Sequence, residues 1–144
     1  MRILVVEDNR VNQHLILALL RKRGHTTAVA GNGVEALAAV KRDIFDLVLM
    51  DIQMPEMDGL EAVRRIRNAE ALTGQHLLVV AMTARAMAGD REAILAAGMD
   101  DYLEKPVQLE RLDAVLRQAS TVRPPDPGAG AVWGEQPPSA ETRP

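Results

Sequence analysis

Short apolar runs alternate along the chain with longer stretches in which apolar residues recur at helical spacing. The runs Ile3–Val6, Thr26–Ala30, Leu47–Met50, Leu78–Met82 and Asp101–Leu103 read as strands. The stretches Arg10–Arg23, Gly33–Lys41, Gly59–Asn68, Gly89–Ala97 and Gln108–Gln118 read as helices. Such alternation is the signature of βαβ units, and it predicts an α/β fold built on a parallel sheet. The runs at Leu47 and Leu78 are continuously apolar, as strands covered on both faces should be. Gly24 and Gly98 follow the first and fourth helices where a left-handed stop residue is expected. Gly31-Asn32-Gly33 marks a turn. From Arg123 the texture changes to Pro124-Pro125-Asp126-Pro127-Gly128 and stays rich in Pro, Gly, Ser and Ala. The expected division is therefore a folded domain over 1–122 and a flexible tail or linker over 123–144, in which the sole tryptophan, Trp133, is an incidental aromatic.

The strands end on chemistry. Ile3–Val6 stops at Glu7-Asp8, Leu47–Met50 at Asp51, the run through Met82 at Thr83, and Tyr102-Leu103 just before Lys105-Pro106. In an open parallel sheet the carboxyl ends of the strands share one edge, and ligands bind there. Three acids, a hydroxyl and an amine on that edge make up the inventory of a metal-dependent phosphoryl-acceptor site. Each residue also has an ordinary reading. Asp51 could cap the next turn, Asp8 or Asn9 could cap the first helix, Thr83 could be a turn hydroxyl, and Lys105 could be solvated. Four such coincidences on one edge are harder to accept than one shared purpose.

Composition narrows the field. With 144 residues, 47% of them apolar and 26% charged, the chain suits one ordinary globular domain. Aromatics are only 2%, so the core must be aliphatic. A net charge of −3 argues against a nucleic-acid surface. No cysteine is present, which excludes disulfides and thiolate metal sites. The histidines at 14, 25 and 76 lack metal-ligand spacing. The apolar run after Met1-Arg2 is too short for a signal peptide or a membrane span, so a cytoplasmic protein making no membrane contact through this chain is expected.

The motifs Val5-Val6-Glu7-Asp8-Asn9, Leu49-Met50-Asp51-Ile52-Gln53-Met54-Pro55-Glu56-Met57-Asp58-Gly59, Met82-Thr83-Ala84 and Ala97-Gly98-Met99-Asp100-Asp101-Tyr102-Leu103-Glu104-Lys105-Pro106 closely resemble those of response-regulator receiver domains of two-component signalling. The resemblance covers residues 1 to about 120. Val11-Asn12-Gln13 and the wording of the two longest motifs are most similar to receivers of hybrid sensor histidine kinases.

The resemblance implies a flavodoxin-like, doubly wound five-stranded parallel sheet of order 2-1-3-4-5 with helices on both faces. It implies Asp51 as phosphoacceptor, with Thr83 and Lys105 contacting the phosphoryl group. It implies Mg2+ held by Asp8, Asp51 and the backbone carbonyl of Gln53, with Glu7 acting indirectly. Thr83 and Tyr102 would form the switch, Lys105-Pro106 a cis peptide, and Gln53 and Arg85 would tune the decay of the phosphoprotein. The implied partner is a histidine kinase or histidine phosphotransfer domain. The module would not be an enzyme in the usual sense. It would phosphorylate itself and slowly dephosphorylate itself, while its parent protein could be a histidine kinase. The physics agrees: magnesium takes oxygen ligands, and unneutralised adjacent carboxylates repel and resist ionising.

The first helix carries two apolar stripes. Ile16, Leu19 and Leu20 suit the core, while Val11, Leu15 and Ala18 form either a partner-docking surface or part of a broad buried face. The chief rival function is a haloacid-dehalogenase-type phosphohydrolase. It expects its nucleophile on the first strand and an acid two residues later, whereas Asp51 ends the third strand and is followed by Gln53. A receiver fold retained only for protein interaction would not need the full acidic set. A dinucleotide-binding domain would need a Gly-rich loop after the first strand, and there is none.

Overall fold

The computed structural model describes residues 1–54, 56–84 and 88–122; the expected tail over 123–144, Trp133 included, lies outside them. Ten elements alternate in chain order: β1 (Arg2–Val6), α1 (Arg10–Lys22), β2 (Thr26–Ala30), α2 (Gly33–Arg42), β3 (Leu47–Asp51), α3 (Gly59–Glu70), β4 (Leu78–Thr83), α4 (Ala88–Ala97), β5 (Asp101–Glu104) and α5 (Leu109–Val122). All strand pairs are parallel, in the order β2-β1-β3-β4-β5. The expected doubly wound fold is the observed one.

Side-chain alternation along the strands splits the interior into two cores. Leu4, Val6, Val48, Met50, Val79 and Ala81 face α2, α3 and α4. Ile3, Val5, Leu47, Leu49, Val80 and Met82 face α1 and α5. Every residue of β3 is buried, as its unbroken apolar run requires. The largest departure from the sequence reading is α5, which runs a turn beyond Gln118. The cause is Ala119, buried at 2% and one helical turn past Leu116, which continues the Leu112-Val115-Leu116 stripe with a side chain too small to signal it.

The helix ends obey local chemistry. Asn9, Asn32 and Asp58 cap α1, α2 and α3, each accepting from the backbone N–H three residues on. Gly24 and Gly98 both have positive φ (+86° and +117°). Each closes its helix with the paired bonds of a Schellman motif: Gly24 N to Arg21 O with His25 N to Leu20 O, and Gly98 N to Leu95 O with Met99 N to Ile94 O. Lys105-Pro106 is cis.

Arg23, at the end of α1, grips Asp113 of α5 through Nε–Oδ1 at 2.6 Å and Nη2–Oδ2 at 3.2 Å. The hydrogen bonds from Arg23 hold the Asp113 carboxyl below its usual range. The unfolded chain therefore takes up this proton at a higher pH than the folded one. The link contributes at neutral pH and is lost as acid titrates Asp113 below about pH 4. Asp113→Asn should weaken resistance to urea at pH 7, and that loss should shrink progressively as the pH is lowered below about 4; a loss that does not shrink with acid would contradict the pairing.

Candidate functional site

Four strand ends assemble one cleft of about 310 Å³. β1 turns toward β2 on one side while β3 and its successors lie on the other, so the sheet reverses direction beside β1. Such a reversal opens a crevice at the carboxyl edge, where ligands enter. Glu7 and Asp8 leave β1 into that crevice, Asp51 ends β3, Thr83 ends β4 and Lys105 follows β5.

The carboxylates of Glu7, Asp8 and Asp51 offer oxygens that all lie within 4.8 Å of one another. Glu7 is 1% and Asp51 4% exposed, whereas Asp8 is open to solvent. Lys105 Nζ sits between the buried pair, 3.0 Å from Glu7 Oε1 and 3.1 Å from Asp51 Oδ1. Burial pushes the Lys105 ammonium down, but its bonds to Glu7 and Asp51 outweigh that and leave it raised. Even so, among the described residues three carboxylates face one ammonium, a formal excess of two negative charges. Glu7 Oε1 makes the ion contact with Lys105 but receives no well-directed hydrogen bond. An oxygen-rich, under-neutralised cluster with an open side suits a hard divalent cation.

The surrounding chain fixes these groups. Asn9 caps α1, which answers the question left open between Asp8 and Asn9. Asn9 N also donates to Glu7 Oε2 at 3.2 Å, and Gln13 Nε2 donates to the Glu7 carbonyl. Gln53 N donates to Asp51 Oδ1 at 3.3 Å, and its side chain is exposed. Lys105 N donates to the Thr83 carbonyl at 2.8 Å, which ties the lysine's loop to β4. A side chain at Gly59 would collide with the Asp51 carbonyl oxygen, so α3 can start hard against the acidic cluster only with glycine there.

The sequence reading named Glu7, Asp8, Asp51, Gln53, Thr83 and Lys105, and all of them line this cleft. It passed over Gln13 and the close approach at Gly59. The first was visible only as a motif letter. The second could have been suspected from a glycine at a helix start, where its conformational freedom is not needed for the cap. Tyr102 stands apart from this group, half-buried against the core beneath α3 and α4, its hydroxyl 3.4 Å from Arg91 Nη1. Val11 and Leu15 are 68% and 60% exposed and Ala18 is exposed, so this stripe is outside the core, while Ile16 and Leu20 are within it. Arg85 lies outside the described residues. Among the described residues no helix is long and apolar enough to cross a membrane.

Comparison with known proteins agrees with this geometry. The family model for the response regulator receiver domain matches residues 3–117. Hybrid signal transduction histidine kinase I of Dictyostelium discoideum is 45% identical over 120 residues, which is 80% of this chain but 7% of that protein. The chain thus spans a small fraction of such curated relatives. The receiver domain of a Pseudomonas aeruginosa sensor histidine kinase, solved with magnesium ion coordinated in the active site cleft, is 42% identical with a TM-score of 0.74, covering 81% of this chain and 94% of that one. The receiver domain of the Saccharomyces cerevisiae response regulator Ssk1, solved with the histidine phosphotransfer protein Ypd1, is 33% identical with a TM-score of 0.80, covering 85% and 90%. The phosphohydrolase alternative finds no support, with Asp51 on the third strand and this family match. The chain belongs to the response-regulator receiver family, the phosphorelay module of two-component signalling.

Proposed function

We propose that Asp51 accepts a phosphoryl group from a phosphohistidine on a histidine kinase or histidine phosphotransfer domain. The observation that supports this best is a buried Asp51 carboxylate joined to Lys105 at 3.1 Å and grouped with Glu7 and Asp8 on the open edge of the sheet. An Asp51 oxygen attacks phosphorus, the bond from phosphorus to the donor imidazole breaks, and the electron pair stays on the imidazole nitrogen. No general base is required, because a carboxylate nucleophile has no proton to give up. Lys105 and Thr83 meet the equatorial oxygens, where negative charge must be held during transfer.

The donor set fits Mg2+, with Asp8, Asp51 and the Gln53 carbonyl as ligands and Glu7 acting indirectly. Bound there, the ion would neutralise the cluster and polarise the transferring group. The new phosphate adds about −1.5 to −2 charges. Thr83 turning toward it and Tyr102 moving inward would carry the signal to the face formed by α4, β5 and α5. Gln53 can orient a water but cannot act as a carboxylate base, so self-hydrolysis is slow, with Arg85 as the second tuning position. Residues 1–122 act as this module, in the cytoplasm, either alone or as part of a hybrid kinase.

The donor's helices dock on Val11, Leu15 and Ala18, which lie exposed on the helix that starts beside the acidic cluster. Incubation with a phosphorylated histidine phosphotransfer protein and Mg2+ should move the phosphoryl group to this chain. Leu15→Glu should slow that transfer roughly tenfold, because a charge at the centre of an apolar contact is costly. Labelling by acetyl phosphate should be unchanged. If both rates fall together, the stripe does not serve docking.

A further inference from the structure

At the amino edge of the sheet, far from the acidic cleft along the strands, the Arg67 guanidinium joins parts of three segments. Arg67 Nε donates to the Gly98 carbonyl at 2.9 Å and Nη1 to the Leu77 carbonyl at 2.7 Å. Nη1 also meets Glu70 Oε1, and Nη2 meets Asp100 Oδ2, each at 2.8 Å. Asp100 Oδ2 accepts in addition from Val79 N at 2.9 Å, and Asp100 N donates to the Val79 carbonyl at the same distance. The end of α3, the start of β4 and the loop entering β5 are thereby fastened at one point. The Arg67 side chain is 18% exposed, so these bonds are little diluted by water. Gly98 makes room for it: a side chain there would come within 2.8 Å of Arg67 Cγ, and its φ of +117° disfavours other residues independently.

The strand that this cluster holds needs holding. β5 has four residues, pairs among the described residues with β4 alone, and carries Tyr102 opposite Ala81. Its other end is fastened by Lys105 N to the Thr83 carbonyl, at the site itself. A short edge strand held less firmly at its foot would fray more readily when the other end moved, and part of the movement would dissipate.

We propose that Arg67 is a positioning residue for the switch: by fixing the foot of β5 through Gly98 and Asp100, it converts a change at Asp51 and Thr83 into a defined change around Tyr102. This inference rests on the phosphoacceptor reading above. It adds a residue at the opposite end of the sheet, with no contact to the acceptor chemistry.

The chain contains a single tyrosine, so incorporation of 3-fluorotyrosine gives one fluorine resonance reporting Tyr102. The full chain is compared with Arg67→Ala, Arg67→Lys and Asp100→Asn, the last two guarding against loss of folding in the first. Each is treated with Mg2+ and beryllium fluoride, and amide exchange is followed without either. In the parent the fluorine line should move to a single new position. In Arg67→Ala the displacement should shrink to about half or less while the adduct still forms, with Arg67→Lys intermediate. Exchange at the β5 amides should rise roughly tenfold, with β3 unchanged. A full displacement in Arg67→Ala and Asp100→Asn, with only a lower melting temperature, would overturn the proposal by reducing Arg67 to a structural tie. A parent line that ignores an adduct formed on Asp51 would also overturn it. Failure of the adduct to form would count against the acceptor reading instead, and unaltered β5 exchange would then still defeat the claim that Arg67 holds the strand.

Discussion

Asp51→Asn should abolish phosphorylation and at the same time make the metal-free protein more stable. The two effects have one cause. Asp51 supplies one of three carboxylates whose oxygens lie within 4.8 Å, with Lys105 between the buried pair. Asparagine keeps the shape and can still accept a hydrogen bond from Lys105, but it removes a charge that its neighbours repel. Stability without divalent ions should rise by about 1 kcal/mol, a modest gain because exposed Asp8 is well screened by water. Mg2+ should bind more weakly and raise the melting temperature less, having fewer charges to neutralise. An amide is not a nucleophile toward phosphorus, so labelling by acetyl phosphate should fall by about a thousandfold. Mass mapping and melting curves with and without Mg2+ read both halves. Persistent labelling at another residue would refute the acceptor assignment. Loss of stability would refute the account of the cluster as mutually repelling.

Most of the fold was written in local signals that do not depend on long-range context. The unbroken apolar run Leu47–Met50 specified a strand buried on both faces, and Gly24 and Gly98 marked helix ends through a conformation that few other residues tolerate. The length of α5 was less legible, because Ala119 contributes to the core by fitting a small space rather than by a strong apolar signal. The acidic cluster was readable for a topological reason: parallel strands bring their carboxyl ends to one edge, so residues distant in sequence become neighbours once the strands are found. What could not be read was the support around them. Gln13 beneath the Glu7 carbonyl and the meeting of Arg67 with Gly98 and Asp100 depend on where side chains end after packing, and nothing in residue spacing reports that. The arginine looked like any charged residue on a helix surface, and only the folded chain places it among carbonyls.

Lys105→Met should strongly destabilise the unmodified protein while leaving the acceptor itself intact. Lys105 is the cation that faces both Glu7 Oε1 and Asp51 Oδ1, and those carboxylates are almost wholly buried. Methionine fills much the same volume but brings no charge. Removing one partner of a buried ionic contact leaves the other without compensation, at a cost of about 3 kcal/mol here, the low end of the range because the lysine side chain is 24% exposed. The same contacts determine the alkaline behaviour of the parent. Burial pushes the ammonium down, yet Glu7 and Asp51 raise it overall, so the folded chain keeps this proton to higher pH than the unfolded one. The contribution is therefore full at neutral pH and is lost as pH rises beyond the ordinary lysine range near 10.5. In Lys105→Met that alkaline loss should be absent from an already weakened protein. Mg2+ should rescue the variant more than it stabilises the parent, because the ion meets an uncompensated cluster, and it should do so without restoring labelling by acetyl phosphate to the parent rate. Urea unfolding at pH 7 and above pH 10, each with and without Mg2+, separates these effects. A variant as stable as the parent without Mg2+ would mean that water, rather than Lys105, neutralises the cluster, and the electrostatic role assigned to this lysine would fail.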